Sequence, residues 1–223
     1  MRLIDGKSLA LQLREEIRAE VSRRVQAGLD APCLGILLVK GDAGGEVYVR
    51  NKIRAAEEAG IRTRCVSMPQ DADEAAVLNE VRRMNEDSDI TGFIVQLPLP
   101  NHIDEHRVLQ AIAPWKDADR GIQEDAVREL LVRMGIGEEV PVIVTQNNRP
   151  CSLTGEQVPQ GAVVIDMGFT YLEDASSPKG YRIVGDADMP SVSRKASYVA
   201  PVPGGIGPMI IAVLLKHVLE RKN

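Results

Sequence analysis

Lys52 follows Tyr48 by four residues in the run Tyr48-Val49-Arg50-Asn51-Lys52. On a helix that spacing puts a phenol ring and a primary amine on one face, one above the other. A flat ring can fix the plane of a substrate. An amine in a partly desolvated cleft has a depressed pKa and can take and return protons. Gln96 interrupts an otherwise apolar strand just before a proline turn, where a polar side chain has to be hydrogen-bonded or face a cavity. Such an amide can orient an amine without adding a second charge. Asp119, near the end of Trp115–Arg120, can accept hydrogen bonds from N–H groups. Each residue alone also has a bland reading: a lysine on a helix is commonly solvated, and an aspartate can cap a turn.

The elements that have to position these four residues follow from periodicity. Leu9, Leu13, Ile17 and Val21 recur every fourth residue, and Gly28 can end that helix. Residues 33–41 form a short apolar run closing on glycine, the pattern of a buried strand. Helical period returns over 46–59, a second strand is expected at 61–68 and a third helix at 73–86, and residues 90–100 read as a strand entering a proline turn. Strands alternating with helices imply a mainly parallel sheet covered on both faces. Ligands of such sheets collect at the carboxyl ends of the strands, and the Tyr48–Lys52 run directly follows the first of these. A helix is expected at 104–113. In the second half, a helix is expected at 124–134, strands near 140–145 and 162–167, and a hairpin or loop between Met167 and Gly185. Residues 200–208 form a Pro/Gly turn, and the apolar stripe from Ile210 to Leu219 reads as a last helix that has to dock on something large, with Pro208 in its first turn.

Composition narrows the function classes. At 223 residues the chain fits one large domain or two small ones, and 44% hydrophobic with 26% charged residues is the balance of a soluble globular protein. A net charge of -5 argues against a nucleic-acid partner. No apolar run is long enough to span a bilayer, so no membrane partner is expected. The charged N-terminus does not read as a signal peptide. Cys33, Cys65 and Cys151 form no CxxC pair, which argues against a disulfide framework or a zinc site. His102 and His106 read as surface residues, so no metal is expected. A reducing cytoplasm is the expected location.

Four stretches carry a resemblance. Residues 48–61, residues 92–119 with Gln96-Leu97-Pro98-Leu99-Pro100, residues 161–168, and residues 184–209 with the Pro201–Met209 run resemble, in collinear order over nearly the whole chain, the FolD family of bifunctional methylenetetrahydrofolate dehydrogenase/methenyltetrahydrofolate cyclohydrolases. The resemblance implies an α/β fold in which residues 1–120 and 206–223 form a folate-binding catalytic domain with a parallel sheet. Residues 121–205 would form a shortened Rossmann-like NAD(P) domain. It implies interconversion of 5,10-methylene-, 5,10-methenyl- and 10-formyltetrahydrofolate, with NADP as the family's cofactor and a homodimer formed through the cofactor domain. Tyr48 would stack on the folate, Lys52 would be the catalytic amine, Gln96 would tune it, and Asp119 would hold the pterin ring. Leu97, Pro98, Gly204, Gly205, Gly207 and Pro208 would complete the substrate site. Asn148, Asp166 and Gly168 would lie beside the cofactor.

The departures from the family bear on the activity. After Gly135-Ile136 the chain passes through Gly137–Val140 straight to Pro141–Thr145, without the family's strand, glycine-rich GxSxxxG turn and helix. That turn offers backbone N–H groups and a helix N-terminus to the pyrophosphate. A second piece, ending in the family's PCTP, is missing after Asp119. Asn148 stands where glycine is usual, Phe169-Thr170-Tyr171 replaces INR, Ile210 replaces a threonine, and Gly45 replaces a serine. Loss of the phosphate cradle and of a central strand makes NADP binding in the usual mode doubtful. Hydride transfer needs that cofactor and cyclohydrolysis does not. Three readings follow: an enzyme that keeps the cyclohydrolase step in preference to the dehydrogenase step; a non-catalytic folate-binding paralogue or partner subunit of a full-length homologue; and a remnant of marginal stability.

Overall fold

The computed structural model describes residues 1–177 and 180–221. Pro178 and Lys179, within the expected hairpin or loop, and Lys222 and Asn223 at the end of the last segment lie outside the described residues. Chain contacts divide the molecule into two units, Gln12–Ile122 with Ile211–Asn223, and Met1–Leu11 with Gln123–Ile210.

In chain order the elements of the first half are β1 (Arg2–Leu3), α1 (Gly6–Gln26), β2 (Cys33–Val39), α2 (Ala43–Glu58), β3 (Arg62–Met68), α3 (Glu74–Glu86), β4 (Gly92–Val95) and α4 (Glu105–Gln110). The sheet of the Gln12–Ile122 unit runs β3-β2-β4 with both pairings parallel, as the alternation of strands and helices predicts. β2 is its central strand and is buried at every position, which is why it reads as an unbroken apolar run. β3 is an edge strand and alternates in exposure. Phe93, Val77 and Met84 are buried with Leu37 in the core between this sheet and its helices.

Two boundaries differ from the periodicity. α2 starts at Ala43, three residues earlier than expected, because Asp42 caps it by accepting from the Gly45 N–H. β4 ends at Val95 and not within the prolines, which have no N–H to continue a ladder. The Leu97–Pro98 peptide that follows is cis.

The second half contains α5 (Ile122–Arg133), β5 (Val142–Thr145), a 3-10 turn at Gly155–Gln157, β6 (Val163–Asp166), β7 (Thr170–Glu173), β8 (Tyr181–Val184), α6 (Met189–Val192), β9 (Tyr198–Ala200) and α7 (Ile206–Glu220). Its sheet runs β1-β9-β6-β5, all parallel. β7 and β8 form an antiparallel hairpin, the first of the two forms expected for that stretch. Residues 1–11, grouped with the N-terminal half in the sequence reading, belong to this unit because Arg2 and Leu3 pair with Tyr198 and Val199. The unit therefore holds four parallel strands, with β5 at one edge.

Candidate active site

The site grows from the carboxyl edge of the β3-β2-β4 sheet. β2 ends at Val39 and the chain turns at once into α2, which puts Tyr48 and Lys52 on its second and third turns. Gln96 is the first residue beyond β4 and is anchored to the central strand by its own N–H, which donates to the Leu37 carbonyl at 2.8 Å. Its side chain is buried. The Lys52 Nζ donates to Gln96 Oε1 at 2.9 Å, and Gln96 Nε2 donates to the Leu97 carbonyl at 2.7 Å. The amide is thereby fixed with its oxygen toward the amine, the orientation that a lysine requires. Tyr48 remains 43% exposed, one turn before Lys52.

Asp119 arrives by a different route. Residues 116–118 run beside β4, with Phe93 N–H donating to Lys116 O at 2.8 Å and Ala118 N–H donating to Phe93 O at 3.1 Å. Three side chains then hold this segment in place, one reaching out from it and two bonding to carbonyls of residues 115–118. Lys116 Nζ donates to the Asp87 carbonyl at 2.8 Å and also to that of Ile90. Arg221 donates to Trp115 O at 3.1 Å and to Asp117 O. His217 Nδ1 lies 3.0 Å from Ala118 O. Sequence reasoning missed His217 and Arg221, because a bond to a backbone carbonyl leaves no mark in the residue types of the partner.

The electrostatics of the pair are opposed. Burial pushes the Lys52 amine below the ordinary lysine value of 10.5, and the Asp119 carboxylate partly restores it. Burial likewise raises the Asp119 carboxyl above 3.8; Lys52 counteracts this, Asp117 adds to it, and His217 lowers it. Desolvation is the first cause for both. An amine with depressed pKa that is oriented by a neutral amide is suited to general acid–base work. Leu97 and the exposed Pro98 follow Gln96 directly, so the structure brings Lys52, Gln96 and Leu97 together and places Asp119 within electrostatic reach.

The remaining expected residues lie in the other unit. Gly204 adopts φ 98 and Gly205 donates to Pro201 O at 2.8 Å. A Cβ on Gly205 would lie 2.6 Å from that same oxygen, so the turn admits only glycine. Gly207 and Pro208 fall in the first turn of α7. Asn148 has φ 53, and its Oδ1 accepts from the Phe169 N–H at 3.0 Å, which joins the carboxyl ends of β5 and β6. Asp166 accepts from the N–H groups of Gly168, Asp186 and Ala187 at 2.9, 3.0 and 2.9 Å. The fully buried Asp186 accepts from Thr145 Oγ1 and from the N–H groups of Asn147 and Arg149.

A dinucleotide pyrophosphate needs unused N–H groups at a strand end, with a glycine turn opening a helix. Here the N–H groups of Asn147, Arg149, Gly168 and Ala187 already serve two carboxylates of the chain itself. A Cβ on Gly168 would meet Asp186 Oδ1 at 2.3 Å, so the space beside it is filled by protein. β5 is followed by a 3-10 turn and not by a helix. The residues present do not fit a dinucleotide at these strand ends. Among the described residues no group of His, Cys, Asp or Glu is arranged to hold a metal ion, and no helix is long and apolar enough to cross a membrane.

A parallel α/β unit with a desolvated lysine bonded to an amide at its carboxyl edge, continuous in sequence with a second parallel α/β unit, defines a two-unit α/β protein. Residues 4–119 match the tetrahydrofolate dehydrogenase/cyclohydrolase catalytic domain, and residues 134–223 match the NAD(P)-binding domain of the same enzymes. The chain belongs to the tetrahydrofolate dehydrogenase/cyclohydrolase, or FolD, family. The bifunctional protein FolD of Flavobacterium psychrophilum is 34% identical over 98% of this chain and 97% of its own length, and that of Bacteroides fragilis is 33% identical over 98% and 97%. Among solved structures, the bifunctional FolD of Campylobacter jejuni superposes with a TM-score of 0.87 at 26% identity, covering 99% of this chain and 98% of that one. The Trypanosoma brucei enzyme, solved with NADP cofactor and inhibitor, also gives 0.87, at 28% identity, covering 97% and 95%. The Flavobacterium alignment runs over 284 positions, whereas this chain has 223 residues. At least 61 of those positions, the difference between the two lengths, therefore face gaps in this chain.

Proposed function

We propose that this chain is a folate enzyme of one-carbon metabolism that works at the hydrolytic step, converting 5,10-methenyltetrahydrofolate to 10-formyltetrahydrofolate, with the NADP-dependent step from the methylene form lost. The observation that carries the reading is the Lys52–Gln96 hydrogen bond of 2.9 Å on a buried amide, together with the depressed pKa of that amine. The absence of a fitting dinucleotide cradle separates the two steps, since only hydride transfer requires NADP.

In this reading Tyr48 lies against the flat folate and fixes its plane, and Asp119 accepts hydrogen bonds from the pterin amino and ring N–H groups. Leu97 and Pro98 line the same pocket. The substrate's methenyl carbon is an amidinium carbon and carries positive charge. Neutral Lys52 takes a proton as water adds to that carbon, then returns it to the ring nitrogen as the carbon–nitrogen bond breaks. The second proton of the water leaves to solvent as the formyl carbonyl forms, so the reaction releases one proton. Gln96 holds the amine in place through both transfers without stabilising its charged form as a carboxylate would.

Residues 12–122 and the end of α7 make up the catalytic part in this reading, and the β1-β9-β6-β5 unit is a shortened remainder of the cofactor domain. The chain is read as a cytoplasmic homodimer. Loss of methenyltetrahydrofolate, followed without NADP for the wild-type chain and for Lys52→Ala, tests the proposal. The wild type is expected to exceed the uncatalysed rate, and the variant is expected to lose about 10²–10⁴-fold, the usual contribution of a positioned acid–base group. Equal rates for both, matching the uncatalysed reaction, would leave a folate-binding protein in place of an enzyme.

A further inference from the structure

Asp119 stands at the end of a segment with almost no regular structure of its own, yet each carbonyl of residues 115–118 has a partner. Lys116 O accepts from the Phe93 N–H of β4 at 2.8 Å, and Ala118 O lies 3.0 Å from His217 Nδ1. The other two converge on one side chain. Arg221 donates through Nε to Trp115 O at 3.1 Å and through Nη2 to Asp117 O. Its Nη1 donates to His217 O at 2.9 Å, in the last turn of α7. One planar guanidinium thus ties the end of α7 to the segment on both sides of Lys116. A fork of fixed N–H directions can serve three carbonyls at once, which the single ammonium of a lysine does less well.

The bonds continue from Arg221 to Asp119. Asp117, held by its carbonyl, accepts the Asp119 N–H on its own Oδ1 at 3.1 Å. On the far side, Asp119 O accepts from the Ile122 N–H at 3.2 Å. The aliphatic stem of Arg221 also needs room beside β4, and Gly92 supplies it. A Cβ at Gly92 would lie 3.0 Å from Arg221 Cδ and 3.3 Å from Lys116 O. Glycine inside a strand commonly marks such a close approach, and Gly92 is the buried first residue of β4. All of these residues belong to the Gln12–Ile122 and Ile211–Asn223 unit.

We propose that Arg221, seated on Gly92, is a positioning residue for Asp119: it fixes the 115–118 segment so that the carboxylate meets the folate in one orientation. The inference rests on the reading of Asp119 as the group that holds the pterin. Arg221 touches neither Lys52 nor Gln96, so its loss acts on substrate binding and leaves the proton transfers alone.

Steady-state hydrolysis of methenyltetrahydrofolate by Arg221→Ala, Gly92→Ala and the double variant tests it. Arg221→Ala is expected to raise KM about tenfold, the loss of one charged hydrogen bond between Asp119 and the folate, with kcat and its pH dependence held. Gly92→Ala is expected to raise KM less, and the double variant to match Arg221→Ala alone, because the two changes act through one contact. A purely structural role gives a different result, since a partly unfolded sample lowers apparent kcat and leaves KM unmoved. Should Arg221→Ala fail to fold, Arg221→Lys, which keeps the stem and the charge but not the fork, is expected to show the same rise in KM at smaller size. An active wild type whose KM is unmoved by these Arg221 variants, or a fall in kcat alone, overturns the inference and leaves the proposed function standing. Additive effects in the double variant overturn the seat on Gly92. If the wild type binds the folate without hydrolysing it, the proposed function fails, and the same pattern is then expected in Kd; a Kd unmoved by Arg221→Ala overturns the inference as well. A wild type that neither hydrolyses nor binds the folate overturns both.

Discussion

At the scale of residues, the account turns on two desolvated groups of opposite charge. Gln96→Ala removes the acceptor of the ammonium that forms on Lys52 as the proton is transferred; a hydrogen bond to a charged group contributes about 1.5–3 kcal/mol, so kcat for methenyl hydrolysis is expected to fall about 10–100-fold. Asp119 shows the sign of its burial in a stability profile. Its folded pKa lies above 3.8 even with the attraction of Lys52 included, so the native state holds the proton more tightly than the unfolded chain. The stabilisation this contributes is complete below about pH 3.8 and is lost as pH rises through the folded value. Asp119→Asn is therefore expected to raise the thermal midpoint at neutral pH, with the difference from wild type shrinking in acid, while KM for the folate rises. A lower midpoint at neutral pH would show that the carboxylate is a stabilising partner of Lys52 and not a binding group held at a cost.

At the scale of elements, the positions of these residues depend on segments that the sequence reveals unequally. α2 and the strands β2 and β4 were legible because their apolar periods and the glycine and proline that bound them are local signals. Tyr48, Lys52 and Gln96 could be placed at the carboxyl edge from strand order alone. β1 and β9 were not legible, since two or three residues carry no period and exist as strands only through each other and β6. The grip on the Asp119 segment was equally hidden. Arg221 and His217 bond to the carbonyls of Trp115, Asp117 and Ala118, and nothing in a carbonyl's own residue type records this. Asp186 could be seen in Val184-Gly185-Asp186, but its partners, the N–H groups of Asn147 and Arg149, depend on a loop folding back. Loss of the His217 bond in His217→Leu is expected to cost about 1 kcal/mol at the Ala118 carbonyl and to raise KM for the folate several-fold with kcat held. His217→Asn, which keeps a donor, is expected to recover most of the loss. A fall in kcat with unchanged KM would place His217 outside the Asp119 support.

At the scale of the whole molecule, the proposed function assigns the hydrolytic step to the first unit and the loss of the NADP-dependent step to the second. The first holds a desolvated amine bonded to an amide. In the second, the N–H groups of Asn147, Arg149, Gly168 and Ala187 are committed to Asp166 and Asp186, and β5 is left at an edge. Calorimetric titration of the chain with NADP is expected to give no binding, whereas the Trypanosoma brucei enzyme, solved with NADP, serves as the positive control. Affinities that match would contradict the reading of the strand ends. The most direct test of the central claim is the pH–rate profile of methenyltetrahydrofolate hydrolysis measured without NADP. The account predicts a rate that rises with the deprotonation of one group below the ordinary lysine value of 10.5. That limb should move to lower pH in Asp119→Asn, because the carboxylate that favours the ammonium is gone, and should vanish in Lys52→Met. A limb that persists unchanged in Lys52→Met would contradict it.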